Sequence, residues 1–524
     1  VAREGLVISD FSGGLNNVVD PSLIEETEVA GLVNLIISRT GKLISRPPIV
    51  KVADYPVGAT DAKALGYFRN EDSTVFMVVA TDSKTYIYDL VADIWTEVWG
   101  YKALDMTAYA NRLYLVSDTN GGGYWSKVAS TYQWTALNDP VTGIPNANQI
   151  HFTKGRIYVS SRALGNTSTL RYSELDSTNL GTTIDEFPVT NFIKVNEGDG
   201  DSLIKIIEGN SELFLFRSNS TYRLAFSASA DPSLGSLTSM SQTIGADCSR
   251  SVIEGDNYLA VLHAGTLYQF AGYNYFPFNP ANKVQFKVQP NFTGQKQGLT
   301  KLGPYLLVWH HGYMYCHDTE TGLWSEWESD TNAAHFLEAP RGSFLASSAV
   351  PTAYGVPHSD FASKGLLKLA LENTATSAET IRCSMTTRTY DLGQPSLFKR
   401  LFGWELLGVF VNWVEGGLTP IDAYTDLNEQ ITWGELSAYT WQEAEDGEIP
   451  WLPVNSIVPV IVPRLPRYNP RPVVVRISGK QTFKRGYFTI RFQNDGTTIT
   501  APSRLDGIVL YLTNGRRMAI GRTA

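Results

Sequence analysis

The residue types best suited to chemistry are few in this chain, and their spacing is poor. His310, His311, Cys316 and His317 fall within eight residues. Imidazole and thiolate are zinc ligands, but the paired-cysteine, paired-histidine spacing of a zinc finger is missing. His310 ends one strand of the pattern, and Cys316 and His317 end the next. Neighbouring side chains on a strand point to opposite faces, so only two of the four converge. The expectation is polar side chains satisfied at strand ends, with no metal. Asp199 and Asp201 lie in the loop GDGD, residues 198–201. Paired carboxylates can cleave glycosides, and a D-x-D fragment can begin a calcium loop. Here the rest of that loop is missing, and a Gly-Asp run reads as a turn. Neither G-x-S-x-G nor a phosphate-binding G-x-x-x-x-G-K-[ST] occurs. No catalytic residue, metal or cofactor is expected.

Charge is the stronger signal. The net charge is −9, yet residues 462–524 hold 12 Lys or Arg against two acids, a balance of +10. The preceding 461 residues therefore carry −9 − 10 = −19. Residues 415–448 hold nine acids and no base, with Trp433 and Trp441 among them. Aromatics among carboxylates point to an interface or tip. Arg464, Arg467, Arg471, Arg516 and Arg517 punctuate the basic segment. A nucleic-acid reader would need a helix or ribbon for a groove, and none is evident. A docking surface for an acidic partner, or for a second copy, fits better.

These residues must be positioned by a β framework. Residues 85–98, TYIYDLVADIWTEV, recur as MYCHDTETGLWSEW at 314–327. Tyr86 precedes Trp95 by nine residues, and Tyr315 precedes Trp324 by nine, with Asp89 and Asp318 between them. Trp125 and Trp134 keep that spacing in a looser copy. Asp suits the strand end because its carboxylate can close a turn on the backbone two residues on. The Trp then returns apolar surface to the sheet, so core packing outweighs sugar stacking. Short apolar strands open at Thr74, Arg112, Arg156, Glu212, Tyr258 and Tyr305, spaced by 38, 44, 56, 46 and 47 residues, with Ser343 as a seventh start. A period of roughly 40–50 residues with several strands is a propeller signature. A sandwich with irregular loops is the alternative.

The fold class expected is therefore mainly β: a six- or seven-bladed β-propeller over residues 62–372, a β-sandwich-like platform over 373–524 with an acidic insertion at 415–448, and an N-terminal arm, 1–61, joining the platform. The seventh blade would use AHFLEA, SFLASSA and GLLKLALE, with an outer strand borrowed from before blade one or after residue 372. One helix is expected at 22–38, opened by a Ser22/Glu25 capping box and striped by Leu23, Val29, Leu32, Val33, Ile36 and Ile37. Three well-separated cysteines, Cys248, Cys316 and Cys383, give no disulfide framework and fit a reducing cytosol. No apolar run is long enough to span a bilayer, and no secretion signal is expected.

The opening of the chain is similar to that of a known family. Gly13, Gly14, Leu15 and Asn16 form a Gly-Gly-Leu-Asn turn. An acidic helix ending near Asn34 follows, then Gly41, Leu43, Arg46 and Pro47. Residues 386–411 add Asp391, Gly393, Lys399 and Arg400. Together with the propeller, this order resembles the tail nozzle, or tail tubular protein B, of short-tailed bacteriophages and related tail hub proteins. The resemblance implies a structural virion protein, made in the host cytoplasm and placed in the tail. It implies a homo-oligomeric, sixfold ring beneath the portal and tail adaptor, beside tail fibres, through which viral DNA is ejected. A glycan-binding or glycan-cleaving propeller tail protein and a cytosolic propeller scaffold remain alternatives.

Overall fold

A computed structural model describes most of residues 4–328, a set of strands between 333 and 390, and the strands within 399–420, 460–461, 473–494 and 504–514. The fold is mainly β. Among the described residues, the helical content is one 3₁₀ turn, Pro232–Leu234, capped by Asp231, whose carboxylate accepts the Ser233 N–H at 2.9 Å. No described helix is long and apolar enough to cross a membrane.

The N-terminal arm supplies β1 (Glu4–Ile8), β2 (Gly14–Leu15), β3 (Glu28–Val33), β4 (Leu35–Ile37), β5 (Leu43–Ser45) and β6 (Ile49–Ala53). A series of small antiparallel sheets follows. The first is built from Ala62–Arg69, Val75–Thr81, Thr85–Asp89 and Ile94–Trp99, paired in chain order. Five more four-stranded runs begin at Asp105, Gln149, Leu203, Val252 and Gln297. The next contains Ala333–Glu338, Thr352–Pro357 and Leu366–Ala370, and β6 completes it as the fourth strand. The first strand of each sheet lies against the first strand of the next. Thr352–Pro357 then reaches Ala62–Arg69, so the series closes on itself.

The second strand of each sheet is buried on both faces. Every residue of Val75–Thr81 and of Arg156–Ser160 is buried. That double burial is why these strands read as continuous apolar runs rather than alternating ones. Tight two-residue turns such as Ala110–Asn111 and Asn210–Ser211 take positive φ at both positions. This is the twist that joins antiparallel strands without splaying them.

Three expectations need correction. The helix at 22–38 is absent: β3 and β4 occupy its place. Val29, Val33, Ile36 and Ile37 are β-branched and favour extended backbone. Asn34 sits at φ 58, which an α-helix does not accommodate. The helical spacing of apolar residues arises because the register shifts between Val29 and Gly31, and the bulge turns a period of two into a spacing of three. Ser22 opens no helix; its N–H and hydroxyl both donate to Asp20 Oδ1, at 2.8 and 2.5 Å. In the seventh sheet the middle strand is Thr352–Pro357, not 343–349, which lie outside the described residues. Its Ala353, Tyr354 and Val356 are buried. Finally, the acidic insertion does not begin at 415: Trp413–Pro420 is a strand paired with Gly486–Asn494.

Strands from both chain ends meet. In one sheet Val473–Phe483, Lys399–Val409 and Arg504–Asn514 pair in order, and Arg504–Asn514 also pairs β1 and β5. In the other, β3 runs parallel to Trp324–Trp327 and antiparallel to Ile381–Thr387, so the sixth small sheet continues into the C-terminal strands. Ile8, Leu35, Leu43, Leu505 and Ile508 of one sheet share a core with Leu32, Cys383, Met385 and Ile490 of the other.

Candidate functional site

A densely hydrogen-bonded polar site forms at the junction where the arm meets the sixth sheet. Arg46 is 1 % exposed. Its guanidinium donates to Asn34 Oδ1 at 2.8 Å, to the Pro47 carbonyl at 2.9 Å and to the Glu328 carbonyl at 2.6 Å. Asn34 returns a bond to the Arg382 carbonyl at 2.8 Å and accepts the Glu328 N–H at 2.7 Å. One Asn–Arg pair thus ties the arm, the sixth sheet and the first C-terminal strand together. The left-handed turn at Asn34 makes this possible, and Asn tolerates that φ better than most residues.

Two glycines are required by close approach. A Cβ on Gly41, at φ 73, would lie 2.6 Å from Asp10 Oδ1, and one on Gly13 would lie 2.8 Å from the Thr27 backbone carbon. Gly13, Asn16, Asn34, Gly41 and Arg46, named above from the resemblance, all fall in this junction.

A second layer of the junction was not visible in the sequence. The segment around Lys283–Lys287 crosses the arm and the sixth sheet. Lys283 Nζ lies 2.7 Å from Glu28, and Lys287 Nζ 2.6 Å from Glu326; those carboxylate side chains are only 2 % and 5 % exposed. Burial pushes the Glu28 carboxyl up, but Lys283, the Glu25 N–H and the Asn16 amide outweigh it and hold it below the usual range. Asn17 and Gln285 exchange hydrogen bonds at 2.8 and 3.2 Å. Phe286 packs on His310, Tyr315 and Trp324. Only the four-residue spacing of the two lysines hinted at this, and K-V-Q-F-K-V reads locally as one more strand.

The histidine group does not converge as a metal site, and among the described residues no group of three metal-ligating side chains forms. His310 and His317 lie on the face covered by Phe286, whereas Cys316 packs with Leu307, Trp309 and Met314 on the other. His317 packs on Trp324 with ring centres 4.5 Å apart, and burial lowers its pKa to about 4. His310 Nδ1 is 3.1 Å from the Lys287 carbonyl. Burial raises the Cys316 thiol far above its ordinary range. Asp201 accepts the Ser220 hydroxyl at 2.8 Å and lies 3.8 Å from the fully buried Arg217, so it serves the packing of the fourth sheet. Asp199 lies outside the described residues.

The repeated motif is structural. Asp89 Oδ1 accepts the Val91 and Ala92 N–H groups at 2.9 and 3.0 Å, and Asp318 Oδ1 accepts those of Glu320 and Thr321 at 2.9 and 3.3 Å. Tyr86 faces Glu97 across its hairpin as Tyr315 faces Glu326. Trp95 packs against Tyr55 and Tyr88, and Trp324 is buried. The looser copy differs: Trp125 and Trp134 sit directly opposite one another, because that hairpin turns in fewer residues. Arg464, Arg467, Arg471, Arg516, Arg517, Trp433 and Trp441 lie outside the described residues.

Comparison with known proteins adds little. No family model matches the chain, and no curated protein matches it. Among solved structures, it is similar to the extracellular domain of a putative one component system from B. thetaiotaomicron at 12% identity and a TM-score of 0.42, over 63% of this chain and 40% of that one. U3-55K is 8% identical at 0.41, over 62% and 98%. A chain of the Mitotic Checkpoint Complex is 9% identical at 0.40, over 64% and 94%. This chain therefore spans 40% of the first of these, and all three scores are too low to argue from.

Proposed function

We propose that this chain is a structural virion protein, the nozzle of a short phage tail. In this reading the seven small sheets are the blades of a propeller closed by β6, and the paired chain ends are its platform. Several copies form a ring, sixfold by the family resemblance, below the tail adaptor and portal, and viral DNA passes through it into the host. The work is geometric and electrostatic, without covalent catalysis.

One observation carries the reading. Of the positions that carry the resemblance, Asn34 and Arg46 tie the arm to the sixth sheet and the first C-terminal strand, Gly14 lies against Leu323, and Gly13 and Gly41 allow the close turns within the arm that bring them there. A junction this dense makes a stiff, continuous wall from propeller to platform, which suits a conduit under load. Native mass spectrometry and negative-stain imaging of the purified full chain test it. A ring of several copies with a central channel is expected. A monomer at every concentration overturns the reading, as does shortening of a polysaccharide incubated with the protein.

A further inference from the structure

Residues 4–38 contain six acids and no Lys or Arg. Within them, the loop before β3 presents large apolar side chains to solvent: Leu23 is 75 % exposed, Val18 45 % and Val19 41 %. Exposed apolar residues are ordinary when scattered singly. Three on one loop, rimmed by exposed Asp20, Glu25 and Glu26, are not.

The loop is also held in place. Asn16 N–H donates to the Val29 carbonyl at 2.9 Å, Asn17 N–H to the Lys283 carbonyl at 3.0 Å, and Thr389 N–H to the Pro21 carbonyl at 2.8 Å. Ile24 is 3 % exposed, and this anchor turns its neighbour Leu23 outward. A rigid loop that keeps its apolar tips in water is pre-organised for a partner, since little ordering remains to oppose binding.

We propose that this loop docks onto the basic C-terminal segment of a second copy of the chain. The argument is charge complementarity. The loop offers the exposed acids Asp20, Glu25 and Glu26 without a base of its own, and residues 462–524 carry +10 on the same polypeptide, so each copy supplies both halves of a repeating contact. Such a head-to-tail contact closes into a ring when its rotation permits. The inference rests on the ring reading above and adds the surface and its counterpart.

The test uses the full chain, with oligomeric state read by sedimentation velocity across salt concentration. Leu23→Asp and the pair Glu25→Lys/Glu26→Lys should each raise the apparent dissociation constant at least tenfold, with unchanged circular dichroism because all three side chains are exposed. Combining Glu25→Lys/Glu26→Lys with Arg516→Glu/Arg517→Glu should restore assembly toward wild type, most strongly at low salt. Rings that form normally from the arm variants overturn the inference while leaving the ring reading intact. Weakened assembly that the charge swap does not restore also overturns it, because the partner surface is then not the basic segment. A wild-type monomer removes both readings together.

Discussion

The first and sixth sheets carry the same hairpin and put it to different use. Tyr86, Asp89, Trp95 and Glu97 occupy the places of Tyr315, Asp318, Trp324 and Glu326. In the first sheet the last strand, Ile94–Trp99, starts exposed and is buried only at Val98 and Trp99. In the sixth, every residue of Trp324–Trp327 is buried, because β3 continues the sheet beyond it. Position 88 is a Tyr bonded to Asp93, and position 317 is a His packed on Trp324. Local sequence sets the hairpin, then, while the added strand decides whether its outer face is surface or core.

The largest effect should come from the tryptophans. Trp324→Ala opens a cavity under Phe286 and should cost about 3–5 kcal/mol, the range for deleting a large buried aromatic. Trp95→Ala should cost roughly half as much, since Trp95 is only partly buried and its Nε1–H reaches the Asp54 carbonyl at 2.7 Å. Chemical denaturation of the two variants compares them. Equal losses would mean that β3 does not change the burial of this position.

Acid should separate the sheets next. Burial holds His317 near pKa 4, against an ordinary 6.5. The folded protein then binds fewer protons than the unfolded chain below pH 6.5, so stability falls as pH drops from 6.5 toward 4. A depression from 6.5 to about 4 corresponds to an upper bound of about 3–4 kcal/mol. The charge of Asp318, next to it in the chain, opposes the shift. His151, in the third sheet, has the same sign, its pKa also lowered to about 4 by burial and by Lys205. His317→Phe should therefore flatten, not abolish, the loss of stability between pH 7 and 4.5. An unchanged pH profile would show that His317 does not titrate in this window.

Much of the fold was legible in the sequence, and the losses have a physical pattern. The second strands were readable because burial on both faces makes them apolar runs. The Asp turns were readable because an aspartate two residues before the N–H it caps is a local device. The borrowed outer strand was expected, and its source is β6. What escaped depended on distant partners. A bulged strand imitated helical periodicity at 28–37, and the register shift that creates the imitation is set by the Ile381–Thr387 strand beside it. The middle strand of the seventh sheet reads as a loop because Thr352–Pro357 contains Gly355, ends on Pro357 and follows Pro351. The pairs Glu28–Lys283 and Glu326–Lys287, each with a buried carboxylate, join residues 255 and 39 positions apart, and nothing local marks them.

The smallest effect tests the same comparison most finely. Glu97 and Glu326 hold equivalent positions, and each meets one lysine. Lys84 and Glu97 are 44 % and 43 % exposed, whereas Glu326 is 5 % exposed and Lys287 49 %. An ion pair in water is screened and its attraction nearly cancels against ordering two long side chains. Glu97→Gln should therefore leave stability unchanged. Glu326 has already lost its water, so its remaining attraction to Lys287 acts through protein on one side. Because the ammonium is half hydrated, the full cost of a broken buried pair does not apply, and Glu326→Gln should lose about 1–2 kcal/mol. Lys287→Met removes the partner, and a double-mutant cycle isolates the pair from the packing of Phe286. A coupling near 1 kcal/mol for Glu326–Lys287, with none for Lys84–Glu97, is the expected contrast. If both cycles give the same coupling, the strand that β3 adds has buried the carboxylate without changing what its charge contributes.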